Sequence, residues 1–166
     1  IRQHLQGVTW QRCQTHFMRN ILEAAPKALR SEIRAHVRTI FEAADPETAR
    51  ELLQQTMDKF QKAAPKAMSV LDEGFEDAIA VLAFPPDCRK RMRTTNAVER
   101  LNAELRRRER VVRIFPNRES VLRLIGALLM DQDDKWSVTR KYIDMREFLE
   151  WRKTRPKTDT KVVRLV

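Results

Sequence analysis

Cys13 and His16 stand three residues apart, and far downstream Glu99, Ala103, Arg106 and Arg110 recur at spacings of four, three and four. A thiol beside an imidazole suggests zinc. Structural zinc needs four ligands, however, no second pair stands at zinc-finger spacing, and neither His4 nor His36 is an obvious complement. Nucleophilic catalysis by Cys13 lacks a visible orienting partner. The Glu99 series lies on one side of a helix, so one face presents a carboxylate and two guanidinium groups together. Asn96 followed three residues later by Glu99 is also a capping-box pattern, in which the glutamate is only a cap partner. The run Arg106-Arg107-Arg108 spreads over about 200° of a helix, so at least one of the three points where Glu99 points.

These residues sit in an uneven charge distribution. The chain has 166 residues with 33 Lys+Arg against 23 Asp+Glu, a formal +10. From Arg89 to Arg113 there are ten basic and three acidic residues, a net +7 in 25 positions, so one segment carries most of the excess. A localised field of that sign favours a polyanion, nucleic acid before anionic membrane, and its plain alternative is a solvated, salt-bridged helix face. Two cysteines make no disulfide framework, no apolar run reaches the roughly 20 residues of a membrane span, and no signal-peptide order opens the chain. A soluble cytoplasmic chain with no membrane partner is expected.

The elements that must position these residues are helical. Leu29, Ile33, Val37, Ile40 and Phe41 fall at helical spacing after Pro26. Asp45-Pro46-Glu47 supplies a cap, a first-turn proline and an acidic first turn, before a stripe of Ala49, Leu52, Leu53, Met57, Phe60 and Ala64. After Pro65, Met68, Leu71, Phe75, Ile79 and Leu82 repeat the period, with Gly74 a weak spot, until Phe84-Pro85-Pro86. Residues 27–83 therefore read as a three-helix bundle. Asp87 to Thr95 reads as a connector. The helix opened by Asn96 has Val98, Leu101, Leu105 and Val112 on a buried side. Phe115-Pro116 ends it, and Asn117 caps a helix whose Val121, Leu122, Leu124, Ile125, Leu128 and Leu129 predict the most buried element of the chain. Trp136 and the stretch Tyr142 to Trp151 suggest one more short helix, and Arg152 onward is a basic tail.

Only Val8 to Arg12 and Val162 to Val166 favour strand. A lone strand leaves backbone groups unpaired, so residues 8–13 are expected to be helical or to pair across a dimer.

The string Trp10-Gln11-Arg12-Cys13-Gln14-Thr15-His16-Phe17-Met18-Arg19-Asn20, then Arg93-Thr94-Thr95-Asn96-Ala97-Val98-Glu99-Arg100-Leu101-Asn102, Arg106-Arg107-Arg108 and Phe115-Pro116-Asn117, resembles the Mutator-type bacterial insertion-sequence transposases. The four motifs are in register over residues 1 to about 136. The resemblance implies an RNase H-like DDE catalytic domain that cuts and joins DNA with two divalent ions, Mg²⁺ or Mn²⁺, held by two Asp and a Glu. It also implies an all-helical insertion between the last core strand and the Glu-bearing helix.

On that reading the chain is mainly α. Residues 1–16 are the last core strand and the start of the following helix, 17–90 the insertion, 91–136 the core helices carrying the catalytic and metal-binding Glu99, and 137–166 a short helix and basic tail. Cys13, His16 and Asn96 fall next to the active site, and Arg93, Arg100, Arg106, Arg107, Arg108, Arg110 and Arg113 face DNA. The partners implied are transposon ends, target DNA and a second copy in a homodimer. The two Asp residues of the family should precede Trp10 and do not stand in this sequence, so the expectation is the C-terminal part of a transposase, inactive and without bound metal by itself. The alternative is a non-enzymatic helical nucleic-acid-binding remnant that uses the basic face 89–113.

Overall fold

A computed structural model of the chain describes residues 10–139 and 145–154. The expected strand Val162 to Val166 and residues 1–9 lie outside the described residues. Eight α-helices are described: α1 (Gln14–Ala24), α2 (Arg30–Phe41), α3 (Pro46–Phe60), α4 (Pro65–Ile79), α5 (Pro86–Met92), α6 (Asn96–Val112), α7 (Arg118–Val138) and α8 (Met145–Thr154). Among the described residues there is no strand, which bears out the mainly α expectation. No helix among them is long and apolar enough to cross a membrane. The chain forms two compact units, one of residues up to Thr94 together with those from Asp144 onward, the other of Thr95–Ile143.

In the first unit, proline sets the punctuation. Pro46, Pro65 and Pro86 each occupy a first-turn position, where the missing N–H costs no helical hydrogen bond. Asp45 caps α3: its Oδ1 accepts from the Thr48 amide at 2.8 Å and its Oδ2 from the Thr48 hydroxyl at 3.0 Å. Those bonds hold the Asp45 carboxyl below the usual carboxylate range. The predicted stripes then meet: Ile33, Val37 and Ile40 of α2, Ala49 and Phe60 of α3, and Met68, Leu71, Phe75 and Ile79 of α4 are all buried.

The bundle has one helix more than the sequence suggests. Phe17 and Ile21 of α1 are fully buried in the same core, α1 packing on α4 while α2 packs on α3. Asp87 to Thr95 is likewise not a plain connector, since α5 occupies most of it and buries Cys88. Arg89 braces this corner by donating to the Phe84 carbonyl at 2.6 Å and the Ala44 carbonyl at 2.7 Å. The Phe84 ring packs against Phe148 and Trp151 of α8, with centroids 6.1 and 5.4 Å away.

Residues 10–13 are neither helix nor strand. The extended segment lies on the C-terminal end of α4, where helical carbonyls run out of partners. The Arg12 amide donates to the Asp77 carbonyl at 2.8 Å. Gln11 donates through Nε2 to the Ala78 carbonyl at 3.1 Å and accepts from the Val81 amide at 2.6 Å, while the buried Gln14 donates to Ala78 at 2.9 Å. These bonds supply within the chain the partners that helix formation, or pairing across a dimer, would otherwise have to supply. The helical expectation is thus wrong for 10–13, and Trp10 stays 46% exposed. Beside this segment, the Gln14 amide donates to the Arg93 carbonyl at 2.9 Å.

The second unit holds α6 and α7. Asn117 caps α7 as expected, its Oδ1 accepting from the Ser120 amide at 2.9 Å. The expectation that α7 is the most buried helix is wrong: none of its residues is buried, and Leu122 and Met130 are 58% and 71% exposed. Val98 and Val112, assigned to a buried side of α6, are exposed as well. An apolar stripe records what a helix can cover, and α6 and α7 supply too little between them to cover it. The helix α6 ends at Arg113, the one positive-φ non-glycine residue described, with φ 61° and ψ −59°; the Ile114 amide closes a three-residue turn on the Val112 carbonyl at 2.8 Å.

Gly74 decides how closely α1 and its preceding segment approach α4. A Cβ there would collide with the Arg12 guanidinium and stand 2.6 Å from the Phe17 ring. The same guanidinium lies 4.3 Å from the Phe17 ring centroid, so a side chain at position 74 has to displace both groups. Gly74→Ala gains about 1 kcal/mol of helix propensity and is expected to lose about 1–3 kcal/mol to overpacking. The net destabilisation is to be read from urea unfolding; a Gly74→Ala variant more stable than the wild type would contradict the close approach.

Candidate nucleic-acid interface

The N-cap of α6 stands one residue before the expected one. Thr95 is the N-cap residue and Asn96 is the first helical residue, so the Asn96–Glu99 capping box does not form. The Thr95 carbonyl accepts the Glu99 amide at 2.9 Å, and the Thr95 hydroxyl donates to the Glu99 carboxylate. Glu99 is exposed, one turn into a helix that carries Arg100, Arg106, Arg107, Arg108 and Arg110 on exposed positions. A carboxylate there is favoured by the helix N-terminus, and a hydroxyl at i−4 restricts its rotamer.

Farther along the helix, Ala103, Arg106, Arg107 and Arg110 line a shallow depression of about 370 Å³. The small Ala103 side chain leaves room that the arginine stems surround. Ala103, Arg106 and Arg110, expected on one face from their spacing, do meet; Glu99 is not among the residues lining the depression. Arg107 and Arg108 differ from their neighbours in a way the arginine run alone does not reveal. Glu104 accepts a bidentate pair from Arg107 at 2.7 and 2.8 Å and a third bond from Arg108 Nε at 3.0 Å. The hydrogen bonds from Arg107, then from Arg108, hold the Glu104 carboxyl down at about 2. One acidic side chain therefore neutralises part of the basic run. Its signal in the sequence is the i,i+3 and i,i+4 spacing from Glu104, a residue absent from the candidates named above.

Arg113 sits at the strained turn after α6, and Arg93 closes α5 half-buried in the first unit. Cys13 and His16 are brought together in that unit. Cys13 is the extended N-cap residue of α1, His16 lies in the first turn, and the His16 Nδ1 is 3.3 Å from the Cys13 Sγ. Both are half-buried.

Comparison with known proteins bears on this arrangement. The family model described as transposase, Mutator family, matches residues 1–139. The chain is 44% identical over 147 residues to the transposase for insertion sequence element IS256 in transposon Tn4001 of Staphylococcus aureus, which covers 87% of the chain and 37% of that relative. It is 41% identical over 142 residues to the transposase for insertion sequence element IS406 of Burkholderia multivorans, covering 84% and 36% respectively. With the transposase for IS1081 of Mycobacterium tuberculosis it shares 36% over 141 residues, 85% of the chain and 34% of the relative. The chain thus spans little more than a third of the length of these relatives.

The Glu104 cluster has a definite acid response. Its folded carboxyl titrates near 2 instead of the ordinary 4.5. A depressed carboxyl stabilises the fold fully above the unfolded value, and that contribution is lost as the pH falls through the folded one. Carbon NMR of the Glu104 carboxyl should therefore show its midpoint near pH 2, and Arg107→Gln should move it back toward 4.5. A midpoint near 4.5 in the wild-type chain would show that the bidentate pair does not persist in solution.

Proposed function

The chain belongs to the Mutator family of transposases, and on that premise we propose that it is the insertion-and-Glu-helix part of an enzyme that cuts and joins DNA phosphodiesters. The observation that carries this reading is the placement of Glu99: an exposed carboxylate near the start of a helix whose later turns carry exposed guanidinium groups. Hydrolysis and transfer of a phosphodiester by two divalent ions needs hard oxygen ligands around ions about 4 Å apart. The residues of α6 do not make such a centre by themselves. Glu99 offers one carboxylate, and Glu104 is committed to Arg107 and Arg108. Glu99 is accordingly proposed as one ligand of a centre whose other carboxylates lie outside this chain, with Mg²⁺ or Mn²⁺ as the ion. The uncovered apolar residues of α6 and α7 fit the same reading, as a face made to pack on core elements of a longer protein.

The basic residues of α6 are proposed to hold phosphates. Arg106 and Arg110 are exposed and make no ion pair among the described residues. Contacts of this kind are expected to be insensitive to base sequence, because guanidinium groups on phosphate oxygens read charge and shape.

Two outcomes are expected. The 166-residue chain should show no strand cleavage or transfer with Mg²⁺ or Mn²⁺ in a plasmid-nicking assay; metal-dependent nicking that disappears in Glu99→Gln would overturn the division of ligands proposed. Binding to duplex DNA should be weak and steeply salt-dependent. Replacing Arg106, Arg107 and Arg110 together by Ala should flatten the log–log salt slope by about one for each arginine that contacts a phosphate. Glu104→Gln should steepen it, because Arg107 and Arg108 are released. A slope unchanged in the triple variant would exclude this helix as the DNA face.

A further inference from the structure

A second basic surface lies in the first unit, away from the segment 89–113 in which the excess charge is concentrated. Helix α2 carries Arg30, Arg34 and Arg38 at successive intervals of four, which places them on one side of the helix. That side faces α1 across a groove of about 650 Å³, which Arg19 of α1 and Arg93 also line. Met18, Leu22 and Phe41 contribute apolar lining. Two carboxylates share the groove: Glu23, 3.9 Å from Arg19, and Glu42, 2.9 Å from Arg38. Five guanidinium groups against two carboxylates leave a surplus of three positive charges in one concavity.

The three arginines of α2 differ in role. Arg30 is partly structural, donating to the Ala25 carbonyl at 3.2 Å and so closing the C-terminal end of α1. Arg38 is paired at the surface, with its side chain 73% exposed, which leaves its remaining donors available. Arg34 is exposed and makes no ion pair among the described residues. We propose that the α1–α2 groove is a second DNA-binding surface that holds the sugar-phosphate backbone of one strand along the row Arg30, Arg34, Arg38. The row extends about 12 Å along the helix axis, long enough to reach more than one phosphate of a strand. A planar guanidinium fork matches phosphate oxygens, and the bound strand gains by counterion release. This surface rests on the reading that the chain acts on DNA, and it adds a contact in the helical bundle where the sequence analysis assigned none.

The test compares salt dependence in three double variants of the 166-residue chain, with circular dichroism to verify helicity. Binding of a short labelled duplex is followed by fluorescence anisotropy between about 50 and 200 mM salt. Arg34→Gln with Arg38→Gln should lower affinity roughly tenfold at the low-salt end and flatten the slope by about two. The exposed residues Lys62, in the turn after α3, and Lys66, in the first turn of α4, supply a control: Lys62→Gln with Lys66→Gln removes the same charge and should leave the slope near wild type. Arg34→Lys with Arg38→Lys keeps the charge and should restore most of the slope.

Groove and control variants that bind alike would overturn the groove while leaving α6 in place, provided that the triple α6 variant still loses slope. Absence of salt-dependent binding by the wild type would overturn both the groove and the broader DNA reading. Competition by an acidic polypeptide as effective as competition by unlabelled duplex, at equal charge, would make the groove a protein-binding surface instead.

Discussion

The C-terminal end of α4 is the constraint on which the first unit depends. A helix that stops leaves carbonyls without partners, and in a packed bundle those carbonyls have no water to turn to. Here Gln11, the Arg12 backbone and Gln14 supply the missing donors for Asp77 and Ala78, and Gln11 accepts the Val81 amide in return. The geometry of those bonds fixes where α1 starts and which way it runs. Its first turns then put Phe17 and Ile21 into the core that α2, α3 and α4 already share. The absence of a side chain at Gly74 permits the close approach, and the Arg12–Phe17 contact fills the space that a side chain would have taken.

The parts of this fold governed by local rules were legible in the sequence. The period of Ile33, Val37 and Ile40, the Asp45-Pro46 start and the Asn117 cap each depend on neighbours within a turn or two, and each is found where the spacing put it. Long-range features were not legible. Gln11 bonds to a residue 70 positions away, and nothing about glutamine in an extended, β-favouring string announces that. The placement of Asn96 failed for a different reason: Thr94, Thr95 and Asn96 are three consecutive residues able to cap, and the register among them is decided by backbone geometry. In α7, apolar content does not become burial, because burial needs a partner surface and content only expresses the demand for one. Cys13 and His16 do come together, as a spacing of three at a helix start allows, whereas the fate of Glu99 and its basic neighbours on α6 needed the side-chain positions.

Charge counting proved a poor guide to which cations can act. The run from Arg89 to Arg113 contains residues of quite different availability. Arg89 is engaged by two carbonyls, and Arg107 and Arg108 share one carboxylate, while Arg106 and Arg110 line an open depression. The α1–α2 groove, in a part of the chain with little net excess, collects guanidinium groups that the linear sequence keeps apart. Local field depends on which partners the fold brings to each cation, and a window of sequence averages that away.

The hydrogen bond from the Gln14 amide to the Arg93 carbonyl spans 79 residues of chain with a single 2.9 Å contact. The path through the helical bundle therefore enters and leaves at one point. A module whose two ends touch makes almost no geometric demand on a host: it can sit between two consecutive elements of another fold as a loop would, without forcing them apart. The adjacency of those two backbone groups makes the join of the bundle a single point, set by one hydrogen bond.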